Sequence, residues 1–246
     1  MAAAEQRSVI VTGSSRGIGR AVAERLATDG FAVTVNYAGN RQAADEAVAA
    51  IVGTGGRAVA VQADVSQAGD VTRLFDETEQ AFGRVDALVN NAGVMSMTPI
   101  AETDDATFDR TFATNVRGTF LTLRAAAKRL RDGGRIVNFS TSATHLQLPG
   151  YATYCATKAA VEVFTSILAK ELRGRSITVN AVAPGPVATE LFFEGKSEEQ
   201  VARLANLNPF GRLGEPQDIA GVVSFLLSAD AGWVNGQVIR ANGGMV

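Results

Sequence analysis

The chain has 246 residues, 46% hydrophobic and 20% charged, with a formal net charge of −2. This length buries a sizeable core without a disulfide or metal, and the charge balance argues against a nucleic-acid binder. No apolar run approaches the roughly 20 residues of a membrane span; Met1-Ala-Ala-Ala-Glu-Gln-Arg7 lacks the apolar core of a signal peptide; and the one cysteine, Cys155, excludes an internal disulfide and a cysteine metal cluster, so a reducing, cytoplasmic setting is expected.

Ser8–Thr12 is a short β-branched apolar run and predicts a buried strand. Thr12-Gly-Ser-Ser-Arg-Gly-Ile-Gly19 follows, and Arg20–Ala27 then shows helical periodicity. Strand, glycine-rich turn and helix together are the context of a phosphate-binding loop. Gly13 permits the tight turn, while Gly17 and Gly19 admit a pyrophosphate and let helix pack on strand. The helix N-terminus supplies amide donors and a positive dipole end. A second strand is predicted over Ala32–Asn36 and a helix over Arg41–Val52. No Asp or Glu stands between residues 32 and 41. An acid there binds a ribose 2′-hydroxyl and repels a 2′-phosphate.

The third strand, Ala58–Gln62, runs into Asp64-Val65 and a helix over Ala68–Ala81. Asp64 either faces a ligand or caps that helix. The fourth strand, Ala87–Asn90, ends in Asn91-Ala-Gly93. Helical periodicity over Phe108–Leu130 carries Asn115, a residue type that is neutral to unfavourable inside a helix. A fifth strand spans Arg135–Phe139 and leads into Ser140-Thr-Ser-Ala-Thr-His145. Then come a helix over Ala156–Glu171, a strand over Thr178–Ala181, the loop Pro184-Gly185-Pro-Val-Ala-Thr189, a helix over Pro216–Leu227 and a last strand, Gln237–Arg240. Regular alternation implies crossover units, hence one α/β domain over residues 1–246 with a doubly wound parallel sheet of seven strands and helices on both faces. Ligands in such sheets bind beyond the carboxyl ends of the strands.

In Tyr151-Ala-Thr-Tyr-Cys-Ala-Thr-Lys158, Tyr154 and Lys158 are four residues apart and share a face on a helix. A lysine ammonium beside a phenol favours the phenolate and lowers a pKa that is normally about 10. A tyrosine tuned in this way passes a proton to or from an alcohol or carbonyl oxygen.

Thr-Gly-x-x-x-Gly-x-Gly, Asn90-Asn-Ala-Gly93, Asn115, Tyr-x-x-x-Lys and Pro184-Gly185, in this order and spacing, resemble a short-chain dehydrogenase/reductase. The 3-oxoacyl-[acyl-carrier-protein] reductase-like branch is the closest look. The resemblance implies a Rossmann-type fold, a dinucleotide-binding half at about 1–140, catalytic and substrate-side elements at about 141–246, and a small helical lid at about 188–212. It implies cofactor contacts from Gly13, Ser15, Arg16, Gly17, Ile18 and Gly19 in the first loop, and from Asn36, Tyr37, Ala38 and Asn40 after the second strand. Asp64 and Val65 would hold the adenine, and Asn91, Ala92 and Gly93 would line the adenosine side. Pro184, Gly185, Val187 and Thr189 would seat the nicotinamide, with Tyr154 and Lys158 against its ribose. Arg16 can meet a 2′-phosphate, with Asn40 and Arg41 beside it, so NADP(H) is the expected cofactor.

The family pattern assigns Tyr154 as the acid in reduction, Lys158 as its partner and Asn115 as the anchor of a water beside the lysine. Relatives carry an orienting serine 13 residues before the tyrosine, which here is Thr141; Ser142 lies 12 before and Ser140 14 before. Ser142 is the expected donor, on the assumption of a loop one residue shorter. His145 reads as a solvated loop residue and Cys155 as packing.

Leu191, Phe192, Phe193, Leu207, Met95, Met97, Leu146 and Tyr151 are candidate walls of an apolar pocket. Lys128, Arg129, Arg131 and Arg175 are candidate contacts for an acidic acyl-carrier protein. The expectation is an NADPH-dependent carbonyl reductase acting on a small-molecule carbonyl, a 3-oxoacyl thioester first and a free ketone or aldehyde second, built as a homotetramer. The rival of a different class is an NADPH-binding sensor without turnover.

Overall fold

The computed structural model describes residues 6–246. The stretch read for a leader therefore lies largely outside the described residues. Seven parallel strands form one sheet: β1 Ser8–Val11, β2 Ala32–Tyr37, β3 Arg57–Gln62, β4 Ala87–Asn90, β5 Arg135–Phe139, β6 Thr178–Pro184 and β7 Val238–Ala241. Their spatial order is β3-β2-β1-β4-β5-β6-β7. The order reverses between β1 and β4, where Val9 pairs with Ala87 and Val11 with Val89. Crossovers from β1 leave in one direction and those from β4 in the other, which opens a crevice at the carboxyl edge.

Strands β1, β2, β4 and β6 are buried along their whole length. This is why they read as unbroken apolar runs rather than alternating ones: helices cover both faces. On one face pack α1 (Gly17–Thr28), α2 (Arg41–Gly53) and α10 (Pro216–Leu227). Their core residues include Val22, Leu26, Ile51, Val223 and Leu227. On the other face pack α3 (Ala68–Phe82), α5 (Thr119–Arg129) and α7 (Ala152–Glu171), with Leu74, Phe75, Leu121, Ala126 and Leu168 inside. Between these faces the remaining helices are short: α4 (Asp105–Phe112), α6 (Ala143–Leu146), α8 (Glu190–Phe193) and α9 (Glu198–Ala205). Among the described residues no helix is long and apolar enough to cross a membrane.

Local chemistry explains most boundaries. Asn40 caps α2 through Ala43 N at 3.0 Å, and Ser197 with Gln200 forms a capping box on α9. Pro216 opens α10, while the Asp218 carboxylate accepts from Glu215 N at 2.8 Å.

Two elements differ from the periodicity reading. The helix expected over Phe108–Leu130 is α4 and α5 joined by a π-helical segment, Ala113–Gly118. The wider turn steps the helical pattern by about one residue, and a single step inside a long helical run is too short a signal for periodicity to mark. Such segments cluster at functional sites, and this one carries Asn115. In addition, α7 begins at Ala152 rather than Ala156, so the helix contains both Tyr154 and Lys158.

Candidate active site

The loop after β1 is shaped for an anion. No side chain caps the first turn of α1, whose N-cap residue is Arg16. The leading amides of this helix therefore have no side-chain partner, unlike those of α2 and α9. Gly13 has φ +62°, and a Cβ there would lie 2.9 Å from Ala92 Cα. A Cβ on Gly19 would lie 2.4 Å from Asn91 Nδ2 and 2.5 Å from Gly13 O. Only glycine fits at either position, and the result is bare backbone facing the cleft.

Two asparagines hold this loop; the bracing role was read from the motif for Asn91 but not for Asn36. Asn36 Oδ1 accepts from Gly13 N at 3.1 Å, and its Nδ2 donates to Ala63 O at 3.0 Å and Val61 O at 3.3 Å. Its carbonyl accepts from Ser14 N. Tyr37 is buried in the core, and its carbonyl accepts from Ala63 N. The side chains of Asn36 and Tyr37 turn inward, where Asn36 braces the loop. Asn91 Nδ2 donates to Thr12 O and Gly13 O, each at 3.0 Å. The amides of Asn91 and Ala92 both donate to Thr12 Oγ1 at 3.0 Å. Thr12 is therefore a hub that the sequence reading treated only as the end of a strand.

At the far end of the cleft, Ala38, Asn40 and Arg41 are exposed. Arg16 Nη1 pairs with Glu190 Oε2 of α8 at 3.0 Å, both largely exposed. Such a pair contributes about 0–1 kcal/mol and yields readily to a stronger anion. Asp64 does not cap α3: its Oδ1 accepts from Ser66 N at 2.9 Å in a local turn, and the carboxylate stays exposed after β3. Val65 is buried against Gly118.

Tyr154, Lys158, Asn115 and Gly93 converge beyond β4 and β5. Lys158 is buried, and its Nζ donates to Phe139 O at 2.8 Å and sits 5.8 Å from the Tyr154 ring centroid. Two of its three N–H groups remain for other partners. Burial pushes the Lys158 ammonium down to about 8. Burial also pushes the Tyr154 phenol up to about 12, against a smaller downward pull from the Thr141 hydroxyl. The lowering of Tyr154 expected from Lys158 is therefore not what this arrangement gives. Desolvation is the largest cause, and the Lys158 ammonium donates to the Phe139 carbonyl instead. At neutral pH the phenol keeps its proton and the ammonium its charge, which is the state a proton donor needs.

Asn115 Oδ1 accepts from Val94 N at 2.9 Å, and its Nδ2 donates to Val94 O at 2.8 Å and Thr157 Oγ1 at 3.1 Å. Both amide protons are consumed, so Asn115 fixes the chain at Val94 and leaves only oxygen lone pairs for a water. A Cβ on Gly93 would lie 3.3 Å from Asn115 Oδ1 and 3.5 Å from Lys158 Nζ.

The hydroxyl question resolves on geometry. Ser142 is 1% exposed; its Oγ donates to Ala183 O at 3.0 Å and accepts from Asn242 Nδ2 at 2.9 Å. Ser140 Oγ is taken by the Glu162 carboxylate. Ser140, Thr141 and Ser142 all line the cleft; Thr141 Oγ1 accepts from Ala143 N at 3.2 Å and is the hydroxyl of the three that neither Glu162 nor Asn242 engages.

The cleft encloses about 180 Å³. Of the candidate wall residues, Met95, Leu146, Tyr151, Leu191 and Phe192 line it, while Met97, Phe193 and Leu207 do not. Leu148, Leu204, Met245 and Lys196 line it without having been anticipated. Met245 arrives because Asn242 Oδ1 accepts from Met245 N and Gly244 N, folding the C-terminal tail over the site. Pro184, Gly185, Val187 and Thr189 lie at the opposite wall. Thr189 caps α8 through Phe192 N, and Ala188 N donates to Gly214 O at 2.9 Å, closing the base of the α8–α9 excursion. His145 lies between the Thr144 hydroxyl and the Arg240 guanidinium, away from the cleft, and Cys155 lines an outer groove.

The chain matches the family described as enoyl-(acyl carrier protein) reductase over residues 13–246. It is 50% identical to a short-chain type dehydrogenase/reductase of Picea abies, over 98% of this chain and 92% of that one. It is 48% identical to an NADPH-dependent aldehyde reductase-like chloroplastic protein of Arabidopsis thaliana, over 98% and 94%. Among solved structures, the angucycline C-6 ketoreductase LanV with bound NADP superposes with a TM-score of 0.92 at 40% identity, covering 97% and 95% of the two chains. A short-chain dehydrogenase/reductase of Serratia marcescens superposes at 0.93 with 36% identity, covering 97% of each. With the glycine cradle, the tyrosine–lysine pair and a full-length match all in place, the chain belongs to the short-chain dehydrogenase/reductase family of oxidoreductases.

Proposed function

We propose that the protein reduces the carbonyl group of a free aldehyde or ketone with an apolar body, using NADPH. The observation that carries this reading is one cleft lined together by Tyr154, Thr141, Lys158, Pro184, Gly185, Val187 and Thr189 and by the apolar Met95, Leu146, Leu191 and Phe192. When bound there, NADPH supplies the hydride. Tyr154 and Thr141 hydrogen-bond the substrate oxygen, and Tyr154 delivers its proton to that oxygen. Lys158 holds a ribose hydroxyl with its remaining N–H groups and, with a water at an Asn115 oxygen, restores the Tyr154 proton. Positioning and fixed donors account for most of the acceleration.

NADP over NAD rests on the absence of an acid between residues 32 and 41 and on Arg16, Asn40 and Arg41 at the exposed end of the cleft. Gly13, Ser15, Gly17, Ile18 and Gly19 would cradle the pyrophosphate, with Ala38, Asp64 and Val65 on the adenosine side. Val187 and Thr189 would seat the carboxamide, and the segment at 188–212 would serve as the lid.

An acyl-carrier protein is the weaker reading because the cations expected to receive it are badly placed. Lys128, Arg129, Arg131 and Arg175 lie beside the starts of β5 and β6, the edge of the sheet opposite the cleft. Arg129 is paired with Asp76 and Glu79, and Arg175 with Asp132. The test is NADPH oxidation, followed by absorbance, with aromatic aldehydes, simple ketones and an acetoacetyl thioester, each repeated with NADH. Aldehyde or ketone turnover well above thioester turnover, and higher kcat/KM with NADPH, is expected. Dominant thioester turnover overturns the substrate reading, and an NADH preference overturns the cofactor reading.

The homotetramer rests on apolar side chains left outside: Phe108, Phe120, Val163 and Ile167 on α4, α5 and α7, and Phe225 and Trp233 near β7. Two separate faces of this kind suit a closed assembly with two kinds of contact. Light scattering at working concentration should give four copies; a monomer refutes it. A reducing compartment such as the cytoplasm suits the lone Cys155 thiol.

A further inference from the structure

The cleft contains two cations and no anion. Its lining includes Lys158 and Lys196 but no Asp, Glu or Arg. Lys158 is committed beside Tyr154. Lys196 belongs to neither the cofactor cradle nor the proton path, and it comes from the turn between α8 and α9, on the substrate side. Its Nζ donates to Phe192 O at 2.7 Å and sits 4.8 Å from the Phe192 ring centroid. Burial lowers its pKa, against a smaller upward pull from the Glu194 carboxylate, which lies outside the cleft lining. One N–H is thus consumed and two are left. The neighbouring lining is apolar: Leu191, Phe192, Leu204 and Met245. A half-buried ammonium among such neighbours gains more from an anionic partner than a solvated one does.

We propose that Lys196 is the specificity-determining residue of this cleft, binding an anionic oxygen, a carboxylate or phenolate, at the end of the substrate distant from the reacting carbonyl. The substrate class is therefore an amphipathic carbonyl compound: an apolar, ring-sized body with the carbonyl at Tyr154 and an acidic group at Lys196. This rests on the carbonyl-reductase reading for the identity of the reacting group, not for the anion subsite itself. The ammonium–aromatic contact holds Lys196 over Phe192 until the acid arrives. The same charge could instead serve a cofactor phosphate, and the experiment separates the two.

Equilibrium binding of 2-naphthoate and its neutral isostere 2-naphthamide to the NADP-loaded protein, wild type and Lys196→Met, reads the subsite without any turnover. The wild type should prefer the carboxylate about tenfold, the scale of one charge-assisted hydrogen bond, and Lys196→Met should bind the two alike. Steady-state kinetics on 4-carboxybenzaldehyde and benzaldehyde should show the same tenfold difference in kcat/KM, lost in Lys196→Met, with KM for NADPH unchanged. No carboxylate preference in the wild type, or a preference that survives in Lys196→Met, overturns the proposal. A rise in KM for NADPH with both aldehydes equally reassigns Lys196 to the cofactor. Carboxylate-selective binding without reduction of either aldehyde keeps the subsite and overturns the carbonyl-reductase reading alone.

Discussion

Tyr154→Phe should lower kcat/KM for carbonyl reduction by about 10²–10⁴-fold, the usual range for loss of a positioned proton donor, while NADPH binding changes at most a few-fold. The size follows from how little else can replace the phenol. Lys158 Nζ is held at Phe139 O, Ser142 Oγ is buried, and Ser140 Oγ is bound to Glu162. His145, the chain's one histidine, faces Arg240 outside the cleft. None of these groups replaces the phenol in place, so the missing proton must come from water or from the more distant Tyr151 hydroxyl, which also lines the cleft. The fold should tolerate the change. Burial holds the phenol neutral, with its pKa pushed up to about 12, so the substitution removes one neutral hydroxyl and no charge. Losing a neutral hydrogen bond costs about 1 kcal/mol of stability. A thermal melt within a few degrees of wild type, together with the rate loss, separates chemistry from unfolding. Retention of near wild-type turnover would show that another group supplies the proton.

The second large effect is a contrast between neighbours. Thr141→Val should lower kcat about 10²-fold, the cost of one donor aimed at a developing oxyanion, with stability nearly unchanged because Val keeps the side chain's shape. Ser142→Ala should do the reverse. It removes the acceptor of the part-buried Asn242 Nδ2, which keeps only Val246 O at 3.4 Å, and costs about 1 kcal/mol of stability and only a few-fold in rate. Melting curves and initial rates on both variants decide it. A Ser142→Ala enzyme that folds well and loses its rate, beside an active Thr141→Val, would return the orienting role to Ser142.

The legibility of this protein from its residues divides along one physical line. Elements with a strong period and a local stop signal were readable: β4, β5 and α10 fall where alternation and capping put them. The π-helical step at Ala113–Gly118 was not, because a one-residue step in the helical pattern is lost within the long run that surrounds it. Within the site, glycines were legible because a missing Cβ has few uses. Gly13 and Gly19 face backbone and side-chain atoms closer than any Cβ permits.

Asparagines and hydroxyls were harder, because the same residue either meets a ligand or braces the loop that does. Asn36 and Asn91 stand at the right place in the chain, yet their amides close on Ala63 O, Thr12 O and Gly13 O. Thr141 and Ser142 differ by one position, both line the cleft, and they differ in their hydroxyl partners. Counting alone reached Thr141; the preference for serine overrode it. Met245 and Lys196 were invisible for another reason. They reach the cleft through the fold of the tail and of the α8–α9 turn, which no local pattern encodes.

The account's central claim is that this cleft moves a hydride to a carbonyl carbon while Tyr154 protonates the oxygen. Mass spectrometry of the alcohol formed from an aromatic aldehyde, with NADPH deuterated at C4 of the nicotinamide, tests it most directly. The account predicts one deuterium on the carbinol carbon of the wild-type product, and almost no product from Tyr154→Phe. Tight NADPH binding with no deuterated alcohol from any aldehyde, ketone or thioester would contradict it and leave a protein that binds the dinucleotide without using it.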